Sequence, residues 1–579
     1  MSSQNGLLIF PPQWYPGNPY SAVPLLLGRL KNAGYPVTGL DLNIEFYHHI
    51  LSPDFLSRIA PKAGSRKAFA DSLIHRLTET VEDTVTVFST PELFYDPDRL
   101  FRAKSDISEI LDYISEAYYP ARLGFANFFH PGIKDVSTLC AYTFDENTNI
   151  FLEFFEARVD DILSSSPAYI MISAADVTQL LAVFTLGRLI KERSEIPVCF
   201  GGSIFTKLKS AFICHPEIFG KYTDCIAFGN GENNIVKLAE HFCGRLPIAD
   251  VPGCIYRDTS GSVIENAEEC ASVLEKPAVF SFDGYDLSKY FSPEPVMTIQ
   301  LSKGCYWGKC AFCDVSFSRQ NFEQKPPAAA VAEIELLVHQ YGIRHFIIGD
   351  DSVSPQYYRE FSRLIKERDL HINCFIMARL ETGFDEETLR SMYASGCRIV
   401  FWGYEAYCEE VMQKINKGID CGQREHILRS AYDAGIWNHV AFMTGFPGET
   451  VPQAQKTVAF VQQHADLIQS CYLSKFSMKK NAIISQAPAQ YGITNITDDG
   501  ELSLDYKYDG PPMNYQDKKQ MDALFREMYL RARQNRLWPL MCVDFEHALL
   551  YISRFGRDFV QNYELSVSTD RLYTGFPIL

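Results

Sequence analysis

The sequence predicts an α/β protein built from two successive strand–helix series and closed by a mainly helical C-terminal region. Three observations lead there. Short apolar runs alternate with amphipathic helical patterns over residues 6–50 and 165–243, and again over 291–478. The first strand of the second series runs directly into Cys305, Cys310 and Cys313. At 579 residues the chain is too long for one core, so several domains are expected.

In the first series, residues 6–12 read as a buried strand ended by two prolines, 22–33 as a helix stopped by Gly34, and 37–42 as a second strand. Strands at 169–173, 198–202 and 225–229 follow, with helices at 177–193 and up to 242. This alternation implies a doubly wound parallel sheet, whose ligands sit beyond the carboxyl ends of the strands. Pro11, Ser173, Gly201, Gly202, Gly229 and Gly231 fall at such ends, and Glu232 follows the last of them. Residues 50–150 break the pattern. Helical stretches at 68–81 and 107–117 mark an inserted, mainly helical subdomain whose aromatics read as core. The expected division is 1–250 for this domain with its insertion, 251–290 for a linker holding a short hairpin, 291–478 for the second series, and 479–579 for the C-terminal region.

Six strands are predicted in the second series, at 296–301, 344–348, 372–376, 398–402, 439–443 and 470–476, with helices between them. Barrel enzymes place their chemistry at the C-terminal ends of such strands. Gly349, Asp350 and Asp351 end the second, Arg379 follows the third, and Glu405 ends the fourth. Beyond residue 478 come a polar, turn-rich stretch and amphipathic helices at 516–533 and 541–554, read as a cap over the barrel mouth.

Three thiolates on one loop can hold three irons of a [4Fe–4S] cluster and leave the fourth open to a substrate or cofactor. A structural zinc site wants a fourth Cys or His at short range, and His339, the next histidine downstream, stands at no finger spacing. A disulfide needs an oxidising compartment. The other cysteines are scattered singly, and most sit in apolar runs, where small hydrophobes belong.

The loop C-x4-C-x2-C, with Phe312 before its last cysteine, resembles the cluster loop of radical S-adenosylmethionine (SAM) enzymes, whose common form is one residue shorter. The six βα units resemble the partial (β/α)6 barrel of that family. The resemblance implies that Phe312, Gly349, Asp350, Asp351, Arg379 and Glu405 bind SAM: Gly349-Asp350-Asp351 its amino group, Arg379 its carboxylate, and Glu405 a ribose hydroxyl or an arginine. Asn416-Lys417-Gly418 and Gly445-Phe-Pro-Gly448-Glu449-Thr450 also match sequences of cobalamin-type members. The first series resembles the Rossmann-like cobalamin-binding domain that precedes the barrel in many relatives. That implies a cobalamin site at Pro11, Asn43, Ser173, Gly201, Gly202, Gly229, Gly231 and Glu232. At the place where cobalt-ligating relatives carry histidine this chain has Asn43, so a histidine-free site is expected, with His48 and His49 a little further along. Reductive SAM cleavage at the cluster would then produce a hydrogen-abstracting radical, and cobalamin would supply a methyl group. C-methylation of an unactivated carbon is the expected reaction. Ring formation or rearrangement without methyl transfer and a non-catalytic scaffold are the alternatives. Cys140 is the only cysteine before Cys199, which speaks against a second cluster of the methylthiotransferase kind.

Composition sets the remaining bounds. A formal net charge of −17 argues against broad binding to nucleic acid. No apolar run approaches the ~18 residues of a membrane span. The N-terminus lacks a basic leader, and a cytoplasmic protein is expected. Its partners are expected to be a small-molecule or peptide substrate and a reductant such as flavodoxin or ferredoxin.

Overall fold

The computed structural model describes residues 5–64, 71–269, 272, 274–314, 322–532, 540 and 544–567. Residues 68–70, 533 and 541–543, which the predicted helices include, lie outside the described residues. The first series forms one sheet. Its strands are Gly6–Phe10 (β1), Val37–Asp41 (β2), Tyr169–Ser173 (β3), Val198–Gly201 (β4), Cys225–Ala227 (β5), Cys254–Arg257 (β6) and Val263–Glu265 (β7), in the order β2-β1-β3-β4-β5-β6-β7. The first five are parallel and the last two antiparallel. All five residues of β1 are buried, because helices cover both faces of a parallel sheet. Helices Ala22–Asn32 and Gly231–Phe242 cover one face through Val23, Leu27, Ile235 and Leu238. Helix Leu180–Arg193 covers the other through Leu181, Phe184 and Ile190. The strand order reverses between β1 and β3, the place where such sheets open a crevice. The hairpin read as part of a linker is β6–β7, which extends this sheet and covers the otherwise open edge of β5.

The insertion is helical, with helices Pro53–Gly64, Asp71–Ser89 and Pro97–Ala117 as its frame. Asp96 caps the last of these by accepting the Arg99 N–H at 3.2 Å, and Pro97 occupies its first turn. Phe88, Phe94 and Phe101 are fully buried.

The second series is a six-stranded, all-parallel sheet: Val296–Ile299 (β8), His345–Ile348 (β9), Asn373–Arg379 (β10), Cys397–Glu405 (β11), Trp437–Thr444 (β12) and Ser470–Lys475 (β13), each beside the next. Its outer face, with Phe346, Ile348, Ile376, Val400 and Trp402, packs under the helices. Its inner face meets a different core, which includes Ile347, Phe375, Ile399 and residues of the helix Phe545–Phe555.

That helix corrects the expectation of a cap over the mouth. It packs against β9, β10 and β11 inside the barrel, with the Phe545 ring 4.8 Å from that of Phe375 near the N-terminal ends of the strands. Its apolar residues Ala548, Leu549 and Ile552 repeat at helical spacing, and the sequence does not show which end of the barrel they fill. The opposite side of the helix faces the insertion. Tyr551 donates to the Phe94 carbonyl, and Asp544 pairs with the buried Lys104. The turn-rich stretch also differs from expectation. Thr494–Asp498 (β15) and Asp505–Asp509 (β16) form an antiparallel sheet with Met478–Lys479 (β14), and their largely polar, solvent-facing residues carry no strand alternation. Among the described residues no helix is long and apolar enough to cross a membrane.

The floor helix generates a stability prediction. Leu549 is fully buried, so Leu549→Ala should cost about 2–5 kcal/mol. The urea midpoint reads this directly, and an unchanged midpoint would unseat the helix from the barrel.

Candidate active site

The cysteine loop has little regular structure and is braced from below and from the side. Gly304 and Gly308 adopt left-handed conformations, with φ of 73° and 55°. Between them the two residues Tyr306 and Trp307 face Arg379. Its guanidinium lies 5.4 Å from the Tyr306 ring centre and 4.4 Å from that of Trp307, a cation–π arrangement. The Trp307 indole N–H donates to the Asn416 carbonyl at 2.8 Å, and the Ala311 N–H donates to the Ile415 carbonyl at 2.8 Å. Tyr306 donates to Glu381 at 2.7 Å. Cys305, Cys310 and Cys313 are each partly exposed. Burial pushes the Cys310 thiol pKa up, while Lys417 and Arg379 pull it down. Among the described residues no three His, Cys, Asp or Glu side chains are placed to hold one metal ion. Thiolates bound to three different irons need not converge on one point, so the loop suits a cluster.

The other predicted SAM residues divide. Arg379 is buried, pairs with Glu381 at 2.7 Å, and donates to the carbonyls of Lys417 at 2.6 Å and Gly418 at 3.3 Å. Glu405 is buried with φ of 65°, at a register shift between β11 and β12, and it holds Lys417 at 2.6 Å rather than an arginine. Gly403 makes room for that ammonium, since a Cβ there would lie 2.4 Å from Lys417 Nζ. Phe312 packs against the core that holds Ala311, Met412 and Ile415. Gly349 approaches β8 closely: its N–H donates to the Ile299 carbonyl at 2.9 Å, and a Cβ would meet Thr298 at 2.9 Å.

The Asp350 carboxylate is engaged within the chain: it accepts the Leu301 N–H at 2.9 Å, the Ser302 N–H, and the Ser302 hydroxyl at 2.5 Å. The acid therefore anchors the strand that leads into the cysteines, and the exposed Asp351 is left at the mouth. Lys417, Glu381 and Tyr306 complete the site without having been singled out as ligands. The Asn416-Lys417-Gly418 match was the sequence signal for Lys417, while Glu381 stands two residues after Arg379 and Tyr306 directly follows the first cysteine.

Strand register sorts the inner face of the barrel into rows. The lowest contains Ile347, Phe375, Ile399 and Trp437, all buried against the floor helix. One row up, Met377, Phe401, His439 and Ser470 stand side by side, and Met377 and Phe401 are partly exposed. Above them come Arg379, Gly403, Ala441 and Tyr472, and Tyr472 is 46% exposed. The barrel is thus filled below and open above, under the cysteine loop.

A cavity of about 480 Å³ lies at the carboxyl ends of the first sheet. Ser173, Gly202, Gly229, Gly231 and Glu232 line it. So do Tyr20, Thr206 and Glu268 from the same domain, and Gln300, Lys303 and Gly304 from the strand entering the cysteine loop. A Lys303–Glu232 ion pair of 3.0 Å joins its two sides. Three predicted residues lie outside it. The Pro11 carbonyl accepts the Gln179 amide at 2.6 Å. Asn43 is buried at the start of its helix and accepts the Trp14 N–H at 2.9 Å. Gly201 ends β4 short of the lining. No histidine is among the lining residues described. His48 reaches the Lys289 carbonyl instead, and His49 packs between Phe55 and Phe154.

Comparison with known proteins bears on this arrangement. Residues 299–461 match the model of the Radical SAM superfamily, so the second series is a radical SAM domain. An uncharacterized methyltransferase of Pyrococcus horikoshii is 24% identical over 297 residues, 50% of this chain and 63% of the relative. The anaerobic magnesium-protoporphyrin IX monomethyl ester cyclase of Cereibacter sphaeroides is 24% identical over 251 residues, 41% of this chain and 40% of the relative. The chain therefore spans less than two thirds of either relative. The structure of the radical SAM methyltransferase TsrM from Kitasatospora setae, with cobalamin and a [4Fe–4S] cluster bound, matches at a TM-score of 0.56 and 16% identity over 92% of both chains. The fold of both domains and the C-terminal region is thus shared with that protein.

Asp350 yields the pH prediction. Burial pushes its pKa up to about 6, against the donors that pull it down. The folded state thus keeps a proton that the unfolded state, with a pKa near 3.8, releases first. Stability due to this group falls as the pH rises from about 4 to about 6, by up to ~3 kcal/mol. Asp350→Asn should flatten that part of the urea-midpoint profile. An unaltered slope would assign the titration to another group.

Proposed function

We propose that this protein is a cobalamin-dependent radical SAM enzyme that transfers a methyl group to an unactivated carbon of a small molecule or peptide. Cys305, Cys310 and Cys313 hold the [4Fe–4S] cluster, and SAM sits between the cysteine loop and the row of Arg379. Cobalamin occupies the cavity at the ends of the first sheet. When bound, these groups supply a hydrogen-abstracting radical and a transferable methyl group. The chain's own part is to hold them facing one another. The observation that carries the proposal is the lining of that cavity, which runs from Gly229 to Gly304, one residue short of the first cysteine. Burial around Arg379, Lys417 and Glu405 keeps water from the charged ends of the site. A reductant of the flavodoxin or ferredoxin class and a cytoplasmic setting complete the proposal. The likeness to a cyclase favours one second reading, radical ring closure without methyl transfer.

Reconstituted anaerobically, the protein should carry about four irons and four sulfides and convert SAM to 5′-deoxyadenosine under reduction. Joint replacement of the three cysteines by Ala should abolish both, and bound zinc without sulfide would sink the assignment. About one equivalent of hydroxocobalamin should stay bound through gel filtration. After reduction its EPR spectrum should lack the splitting of an axial histidine nitrogen, because no histidine is among the described residues that line the cavity. Label from the SAM methyl group should reach the product. An unlabelled product would select the second reading.

A further inference from the structure

Within the barrel lumen the middle and upper rows carry a patch unlike the rest of the site. Met377 and Phe401 are partly exposed on the inner face, Tyr472 is 46% exposed, and Ala441 lies between β11 and β13 at the level of Tyr472. The rings touch: Phe401 lies 6.0 Å from Tyr472 and 6.2 Å from Phe545, the first residue of the floor helix. His439 supports Phe401 from the side at 4.6 Å and is itself fully buried. Inner-face residues two apart on a strand are separated by about 7 Å, so Met377 lies one such step below Arg379, with Phe401 on the next strand.

We propose that this aromatic patch seats the part of the substrate that adjoins the reacting carbon, and that this part is a flat, uncharged, apolar ring system. The inference rests on the radical SAM reading of the site and adds the substrate class to it. Enclosure argues for a small occupant. The lumen is closed below by the floor helix, and Met377 and Phe401, one row below the mouth, are only partly exposed, so a second protein surface does not reach them. Charge argues for a neutral one. The charges that reach the two rows among the described residues are already paired: Arg379 is turned to Glu381 and to the carbonyls of Lys417 and Gly418, and the Lys417 ammonium beside Gly403 is held by Glu405. His439 adds none, since burial holds its pKa at about 3. Glu546, next to Phe545, interacts with Lys104, which comes from the insertion helix. A charged group placed on these rings would lose its hydration without gaining a partner. Planarity follows from the wall itself, because aromatic faces and edges at 4.5–7 Å favour stacked or edge-on partners.

The test uses the full chain with cluster and SAM loaded, titrated with indole and, separately, with indole-5-carboxylate, and followed by ligand-observed NMR. Saturable one-to-one binding of indole is expected, with the carboxylate at least tenfold weaker. Tyr472→Ala, at a half-exposed position that folding tolerates, and Phe401→Leu, which keeps apolar volume, should each weaken indole at least fivefold. Non-saturable indole binding, equal binding of the carboxylate, or unchanged affinity in both variants would overturn the seat. SAM cleavage by the wild-type protein is measured in the same samples. Its absence alongside saturable, variant-sensitive indole binding would strike the cofactor reading and still support the seat.

Discussion

Arg379 leaves the end of β10 inside the barrel mouth, where burial would cost an unpaired guanidinium several kcal/mol. It is not left unpaired. One nitrogen meets Glu381, another meets two carbonyls of the strap after helix Glu409–Ile415, and the plane lies against Trp307. The same strap, through the carbonyls of Ile415 and Asn416, receives N–H groups from the cysteine loop. The loop that carries the three thiols is thereby braced from outside, by the strap and by this cation. Charge-assisted bonds of this kind are about twice as strong as neutral ones. Removing the guanidinium would leave Glu381 with the Tyr306 hydroxyl alone and take the donor from two carbonyls, so the loss would reach the loop.

The second constraint is the barrel interior. Six parallel strands leave an inner face that must be filled or wetted. Here the lower row is filled by Phe545, Ala548 and Leu549 from the far end of the chain, and the upper rows are left open. The filling helix is also the tie between domains. His547 donates its Nε2–H to the Phe291 carbonyl at 2.6 Å, and the same nitrogen lies 3.2 Å from the hydroxyl of Tyr15, which belongs to the loop after β1. One apolar stripe thus sets the depth of the lumen and fixes the first domain against the barrel, and so bears on the width of the crevice between them.

The strands, the cysteines and the glycine turns were legible in the sequence because each rests on local rules: apolar runs of strand length, thiol spacing, and φ > 0 where a turn demands it. What was not legible is which polar groups the fold consumes. Asp350 and Arg379 look alike as polar residues at strand ends. Only the register shows Asp350 spent on the N–H groups of Leu301 and Ser302, while Arg379 spans the strap. Asn43 was expected at a cofactor and is spent on Trp14 at the start of its helix. The floor helix was found as a helix but placed at the wrong end of the barrel, since hydrophobic periodicity reports a buried face and not the surface that buries it. Polar strands β15 and β16 were missed for the converse reason: neither face is buried deeply enough to leave an alternation.

The strain at Glu405 follows from the same economy of space. A left-handed glutamate is uncommon and costs about 1–3 kcal/mol, and such residues persist where their surroundings over-determine them. Here the register slips between β11 and β12 at this residue, its carboxylate turns inward to Lys417, and Gly403 clears the path of the ammonium. A right-handed or extended Glu405 would keep the sheet regular and send the carboxylate elsewhere, leaving Lys417 buried beside Cys310 with no counter-charge. The strain is therefore retained because the alternative, an uncompensated buried cation, costs more. It leaves two ion pairs, Arg379–Glu381 and Lys417–Glu405, joined through the Lys417 carbonyl, and the second lies beside the cysteine loop. In that arrangement the mouth carries no net charge from these four residues. The field at the thiols is then set by how each pair is oriented.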